Sequence, residues 1–376
     1  NMSVELLKWR PAPLTQDQLS NITQWKHGVS CTDRVLIALD PAFRAIARLL
    51  PQWLHPNVVT VLANSCNILA SVLVMSYCPG VDCSSDEVPA WLFWVVGLCF
   101  LMYMVLDSVD GIHARNLGIG SPFGQLWDHG WDAFTWLHFF IAIFGVLGLV
   151  GWRLIVAVSI CQMSVYFSDW EARYTELHLR EGFTSGQLFA TFLAWVSAVF
   201  GPSWVKTTLG PFTLSDILTV ICLEFPFRSG ICGFLQVWKN GRSLNRTRAV
   251  RQLLQVFFLI LASAGLFHSS KRPLLVLCTF NLAFSAESAS VILQDILNIP
   301  HDLPTPGTHA MIGCFLLFTA MGSEASETLQ DVLLTLMSCV VVLSWGYLVI
   351  GSIRQLLAHM QTSLLFVRLP TRKELS

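Results

Sequence analysis

Residues Leu106–Asp132 read LDSVDGIHARNLGIGSPFGQLWDHGWD, and the placement of their four aspartates decides how the chain is built. Asp107 and Asp110 close an apolar run over residues 89–112, and Asp128 and Asp132 open another over 123–149. A bilayer-spanning helix needs about 20 mostly apolar residues, so the two runs read as consecutive spans. Their link, 116–122, carries Gly118, Gly120, Ser121 and Pro122, the residues of a tight helical hairpin. Spacings of three and four place each aspartate pair on one helix face. At ~1.5 Å per residue the two pairs reach a similar depth on either side of the turn. Four carboxylates therefore converge near one membrane face.

Outward from this stretch, eight further apolar runs lie near 57–78, 152–170, 184–201, 213–236, 250–267, 273–296, 307–324 and 328–353. The expected fold is all-α and polytopic, with about ten spans. Composition agrees: of 376 residues 54% are hydrophobic and 12% charged, about half the charge of a soluble domain. A net charge of -1 leaves no basic field for nucleic acid. Of the 23 lysines and arginines, 18 fall on one side of the ten spans, four on the other, and Arg228 inside a span. The positive-inside rule then puts both termini and the aspartates on the cytosolic side. Residues 1–50 hold no isolated apolar segment with a small-residue cleavage site, so the first span is expected to insert the chain.

Leu36, Ile37, Leu39, Phe43, Ile46 and Leu49 alternate with Arg34, Asp40, Arg44 and Arg48 at helical spacing. This is the pattern of a helix lying in the membrane interface or packed on the membrane domain. The eleven cysteines show no paired CxxC spacing, and most sit within apolar runs as small hydrophobes. Cys78 and Cys83 flank a polar loop, where a disulfide and two free thiols are both open readings. The sequons at Asn21 and Asn245 fall on the cytosolic side and are expected to stay unused.

Ionisable residues inside spans are costly and mark function. Four clustered carboxylates in a low dielectric repel one another unless cations neutralise them. Oxygen donors suit Mg²⁺, Mn²⁺ or Ca²⁺, and a two-metal site of this kind handles phosphates. Gly111 follows Asp110, and Gly124 lies one turn before Asp128, where a ligand can approach the backbone or another helix can pack. Arg115, on the cytosolic side of the acids, suits a phosphate or an interfacial anchor.

The pattern Asp107-x-x-Asp110-Gly111-x-x-Ala114-Arg115, eight residues, then Gly124-x-x-x-Asp128-x-x-x-Asp132 resembles the signature of the CDP-alcohol phosphotransferase family. Trp53-Leu54-His55-Pro56-Asn57, Ser121-Pro122-Phe123-Gly124, Asp128-His129-Gly130 and Trp170-Glu171 resemble its eukaryotic choline and ethanolamine phosphotransferase branch. The resemblance implies transfer of phosphocholine or phosphoethanolamine from CDP-choline or CDP-ethanolamine to diacylglycerol, with release of CMP. It implies two Mg²⁺ or Mn²⁺ ions on Asp107, Asp110 and Asp128, with Asp132 a further ligand or the general base. Gly111, Ala114, Arg115 and Gly124 would hold the nucleotide and diphosphate, and Asn57 the cytidine. It also implies a homodimer in the endoplasmic reticulum or Golgi membrane. On this reading residues 1–55 are a cytosolic segment with the interfacial helix and 56–236 the catalytic core. Residues 237–354 add further spans, and 355–376 form a cytosolic tail.

His129 rivals Asp132 as the base because imidazole titrates near neutral pH; it equally suits orienting Asp128. The branch usually carries Glu where this chain has Gln125, and Lys-Gln where it has Ile112-His113. If that Glu supports the base, proton transfer here relies on His129 or Asp132. Glu171 with Trp170 suits the headgroup ammonium or an interfacial anchor. Glu224 and Arg228, four apart, read as a buried structural pair outside the site. Phosphatidylinositol or phosphatidylglycerophosphate synthesis is the nearest alternative, although enzymes of those types are generally shorter. A cation transporter is disfavoured because no second acidic cluster repeats the first, and intact aspartates disfavour an inactive scaffold.

Overall fold

The computed structural model describes residues 13–24, 29–31, 33–175, 178–180, 183–240, 246–299, 302–303, 305–321 and 326–360. Asn245 and residues 361–376 lie outside them, as do Lys8, Arg10, Lys26, Arg242, Arg368, Arg372 and Lys373 of the charge count.

A sixteen-residue helix, α1 (Arg34–Leu49), precedes ten longer or equal ones. These are α2 (Pro56–Tyr77), α3 (Ala90–Leu117), α4 (Pro122–Val146), α5 (Gly151–Thr175), α6 (Phe183–Phe200), α7 (Leu214–Asn240), α8 (Arg246–Ser269), α9 (Pro273–Ile296), α10 (Pro306–Met321) and α11 (Glu327–Trp345). The last continues through a widened turn, Gly346–Ile350, to Met360. Each of the ten coincides with one apolar run of the sequence. Among the described residues, seven helices (α2, α3, α6, α7, α8, α9, α11) are long and apolar enough to cross a membrane. The sixteen residues of α10 are apolar but short, while α4 and α5 dilute their apolar character with Asp128, Asp132, Asp169, Glu171 and Arg173. The chain is thus all-α and of multi-pass membrane type, and among the described residues the strands are two short pairs, Val29–Cys31 with His178–Arg180 and Thr208–Leu209 with Phe212–Thr213.

Small residues decide which helix sits at the centre. In α9, Ala283, Ser285, Ala286, Ser288, Ala289 and Ser290 are all buried, because short side chains let neighbouring backbones approach closely where hydrocarbon offers no hydrophobic drive. A polar stripe on α2 faces α4: the Thr135 hydroxyl donates to Asn64 Oδ1, and Ser71 Oγ lies 2.7 Å from His138 Nδ1.

Helix α1 buries Phe43 and Ala47 against Met104, Val109 and Ile112 of α3, while Ile37 and Leu49 stay exposed. It therefore packs on the membrane domain and leaves part of its apolar surface uncovered. Asp33 fixes its start twice over. Asp33 Oδ1 accepts from Val35 and Leu36 N–H at the head of α1, and Oδ2 from Thr184 and Ser185 N–H at the head of α6.

Two open expectations are resolved here. Cys78 and Cys83 form a disulfide, and Cys83 N–H is latched to Gly145 O at the far end of α4. Glu224 and Arg228 do pair (2.9 Å), but their side chains are 53% and 45% exposed, so the pair is not buried as expected. The reason is the position of α7, whose apolar window is only 17% buried because it packs at the edge of the bundle. Glu287 is buried away from the aspartates and accepts from Gln255 Nε2 (2.9 Å).

Candidate active site

The turn between α3 and α4 follows from its residues. Gly118 adopts φ +69°, a left-handed conformation that ends α3 and that glycine reaches without a Cβ penalty. Ser121 caps α4, its Oγ accepting from Gly124 N–H (3.1 Å). The chain returns so that Asp107, Asp128 and Asp132 each present an oxygen within 4.8 Å of the others'. Beneath them Tyr103, Trp136, Phe139 and Phe100 fill the space between α3 and α4, with Tyr103 edge-on to Trp136 at 5.5 Å and Phe100 against Phe139 at 4.5 Å. Tyr103 OH donates to Asp132 Oδ1 (2.9 Å) and so fixes that carboxylate from below.

Asp110 stands apart from this trio. It is 3% exposed and accepts from Thr60 Oγ1 of α2 (2.5 Å), although Asp128 and Asp107 lie close enough to repel its charge. Asn57 lies one turn earlier on α2, buried, with its carbonyl accepting from Trp127 Nε1 (3.2 Å). The α2–α3–α4 contact thus joins Asn57 to the aspartate region. His113, one of the three residues at which this chain departs from the branch pattern, donates from Nε2 to Leu54 O (2.9 Å) and pins the loop ahead of α2.

Gly111 and Gly124 do not pack helices. A Cβ on Gly111 would meet only the Arg115 Nη1 of its own helix, and one on Gly124 only Ser121 Oγ, each at 3.4 Å. Gly97 and Gly265, by contrast, would collide with Trp195 and Phe315 of neighbouring helices. The two signature glycines therefore leave backbone accessible to a ligand, with the exposed Arg115 folded back over Gly111 and Ala114 partly exposed beside it.

Asp107, Ser108, Asp128, His129 and Asp132 line one cavity, bounded on the α5 and α6 side by Ser168, Asp169, Phe183, Thr184 and Gln187. No lysine or arginine is among its lining residues. A trio of carboxylates set this closely matches the oxygen-rich donor set of a hard divalent cation. A second, apolar cavity adjoins it between α4, α5, α6 and α7, sharing Trp136, Phe183 and Gln187.

Trp170 and Glu171 are not brought to this cavity. Trp170 is fully buried, stacked on Phe234 (6.4 Å, 7° between planes), and Glu171 is 2% exposed and directed toward Gly233 on α7. Helical rotation of 100° per residue turns both away from the face that Val165, Ser168 and Asp169 present to the site. The residue that the sequence reading missed is Asp169, whose Oδ1 lies 3.0 Å from His129 Nδ1.

Loss of the Tyr103 hydroxyl should loosen the trio without emptying it. Tyr103→Phe is expected to raise the divalent-ion concentration needed for half-maximal activity about 10-fold, the scale of groups that orient metal ligands, read from metal titrations of CMP release.

Comparison with known proteins agrees with this geometry. Residues 53–222 match the CDP-alcohol phosphatidyltransferase family model. The chain is 25% identical to ethanolaminephosphotransferase 1 of Mus musculus over 353 residues, 89% of this chain and 83% of that protein. It is 24% identical to cholinephosphotransferase 1 of Xenopus laevis over 76% of this chain and 73% of that one. It is 25% identical to choline/ethanolaminephosphotransferase 1 of Arabidopsis thaliana over 71% and 74%. The matched segment, residues 53–222, contains the helices that build the aspartate site.

Proposed function

We propose that the chain is a membrane-embedded phosphotransferase that moves phosphocholine or phosphoethanolamine from the CDP-alcohol to diacylglycerol and releases CMP. The observation that carries this is the pairing of cavities: a carboxylate-lined one opens directly beside an apolar one. That combination suits a reaction between a soluble diphosphate and a lipid hydroxyl. The relatives' names supply the substrate pair, and the aspartate trio supplies the chemistry.

On this reading Asp107, Asp128 and Asp132 hold divalent cations, Mg²⁺ or Mn²⁺, with Asp110 completing the set from its place on Thr60. Divalent ions held by these carboxylates would supply the positive charge that offsets the charge developing on the diphosphate. Asn57, Gly111, Ala114, Arg115 and Gly124 receive the nucleotide, with Arg115 donating to phosphate oxygens. The acyl chains occupy the apolar cavity, which brings the glycerol hydroxyl to the shared wall of Trp136, Phe183 and Gln187. The hydroxyl oxygen attacks the phosphorus of the phosphobase, the bond to CMP breaks, and the hydroxyl proton passes to His129.

Residues 56–236 form the catalytic unit, and residues 1–55 and 237–354 support it, with Gln355 of the last helix bonding the Leu14 backbone at 2.8 and 3.0 Å. The Cys78–Cys83 disulfide, at the opposite end of α3 from Asp107, supports a site on the cytosolic face of an endoplasmic reticulum or Golgi membrane. The assembly is read as a homodimer.

The test is an assay of the purified protein with diacylglycerol, Mg²⁺ and either CDP-choline or CDP-ethanolamine. CMP release with at least one donor is expected. Activity confined to CDP-diacylglycerol plus inositol would replace this reading with phosphatidylinositol synthesis.

A further inference from the structure

We infer that Asp169 is the positioning residue for His129, holding its ring in the orientation and tautomer needed to take the lipid hydroxyl's proton. The inference rests on the assignment of His129 as base in the preceding section. Asp169 is 5% exposed, and its side chain has one hydrogen-bond partner among the described residues, His129 Nδ1 at 3.0 Å. A carboxyl group buried in a membrane protein is costly unless it serves a partner, and here the partner is an imidazole on the wall of the aspartate cavity. The two residues come from different helices, α4 and α5, so the contact sets the ring against the site and not merely against its own helix.

The chemistry follows from the ring. When Nδ1–H donates to Asp169 Oδ1, the neutral imidazole carries its lone pair on Nε2, at the opposite edge of the ring. The proton of the attacking glycerol hydroxyl transfers to Nε2 as the new oxygen–phosphorus bond forms and the bond to CMP breaks. The resulting imidazolium keeps Nδ1–H on the Asp169 carboxylate, which stabilises the positive charge without itself taking a proton. Asparagine at position 169 keeps the size of the side chain but presents an amide that can hold the opposite tautomer, with the proton on Nε2.

The experiment is a double-mutant cycle on the full-length protein in CMP-release assays, with CDP-alcohol affinity measured separately. Asp169→Asn is expected to lower kcat about 100-fold, within the range that general-base catalysis supplies. KM for both substrates and donor affinity should change less than about 3-fold, since neither substrate is bound by Asp169. In a His129→Ala background the same substitution should have no further effect, because Asp169 acts only through the ring. Equal fractional losses in both backgrounds, or full activity of Asp169→Asn, would overturn the inference and assign Asp169 a structural role. If Asp169→Asn does not accumulate folded, Asp169→Glu is measured instead, and the same non-additivity with His129→Ala is expected. Full activity of His129→Ala would instead remove the base assignment itself.

Discussion

Asp128→Asn is expected to lower kcat at least about 1000-fold, a loss on the scale of removing preorganised charge from a phosphoryl-transfer site. Asp128 is the most connected acid of the site. It shares the close trio with Asp107 and Asp132, and its charge also reaches Asp110 and Asp169. Replacing it removes one full anion from the set that would hold the cations, while the amide keeps the shape of the side chain. Folding should survive, because the substitution relieves repulsion among three carboxylates within 4.8 Å. In metal-free buffer the variant should unfold at the same temperature as the parent or higher. The parent should gain thermal stability on addition of Mn²⁺, as any ligand of the native state requires, and Asp128→Asn should lose most of that gain. An active variant, or one whose Mn²⁺ response is unchanged, would remove Asp128 from the metal set.

Much of this was legible in the sequence because hydrocarbon is an unforgiving solvent. Ten apolar runs became ten helices since each backbone must satisfy its own hydrogen bonds there, and acids within such runs stand out because they are expensive. The finer division of labour was not legible. Four aspartates at regular spacing look equivalent, and only the arrival of Thr60, fifty residues earlier in the chain, sets Asp110 apart from the other three. Asp169 sits at a helix end that the sequence places near the interface, where a carboxylate is unremarked, and it lies one residue from the more conspicuous Trp170. Which of three successive residues faces a cavity depends on the rotation of α5 within the bundle, and this helix has no clear apolar face to reveal it. Asp33 shows the same limit: an aspartate before a helix is readable as a cap, but its second cap, on α6, depends on a contact across about 150 residues of chain. The glycines illustrate how structure separates like from like, since Gly111 opens onto space and Gly97 is filled by Trp195.

His129→Ala should lower kcat about 10²- to 10⁴-fold and yet keep the Mn²⁺-induced rise in thermal stability that Asp132→Ala loses. This pair of outcomes separates the two candidates for the base. Asp132 has one oxygen in the carboxylate trio, and its Oδ1 accepts from Tyr103 OH, so the residue is tied to the metal set from one side and to the aromatic floor from the other. A carboxylate engaged in this way is poorly placed to move toward a lipid hydroxyl. His129 is one residue beyond Asp128 on α4 and turns toward α5, where Asp169 holds its ring in the cavity that adjoins the apolar chamber. It can therefore meet a hydroxyl arriving from the lipid side while the aspartates hold the diphosphate. Removal of the imidazole takes away the proton acceptor and leaves the charge of the trio intact, so metal binding should persist as transfer fails. If Asp132→Ala keeps the Mn²⁺ response and His129→Ala loses it, the two roles exchange: Asp132 becomes the base, and His129 the residue that orients the metal-binding Asp128.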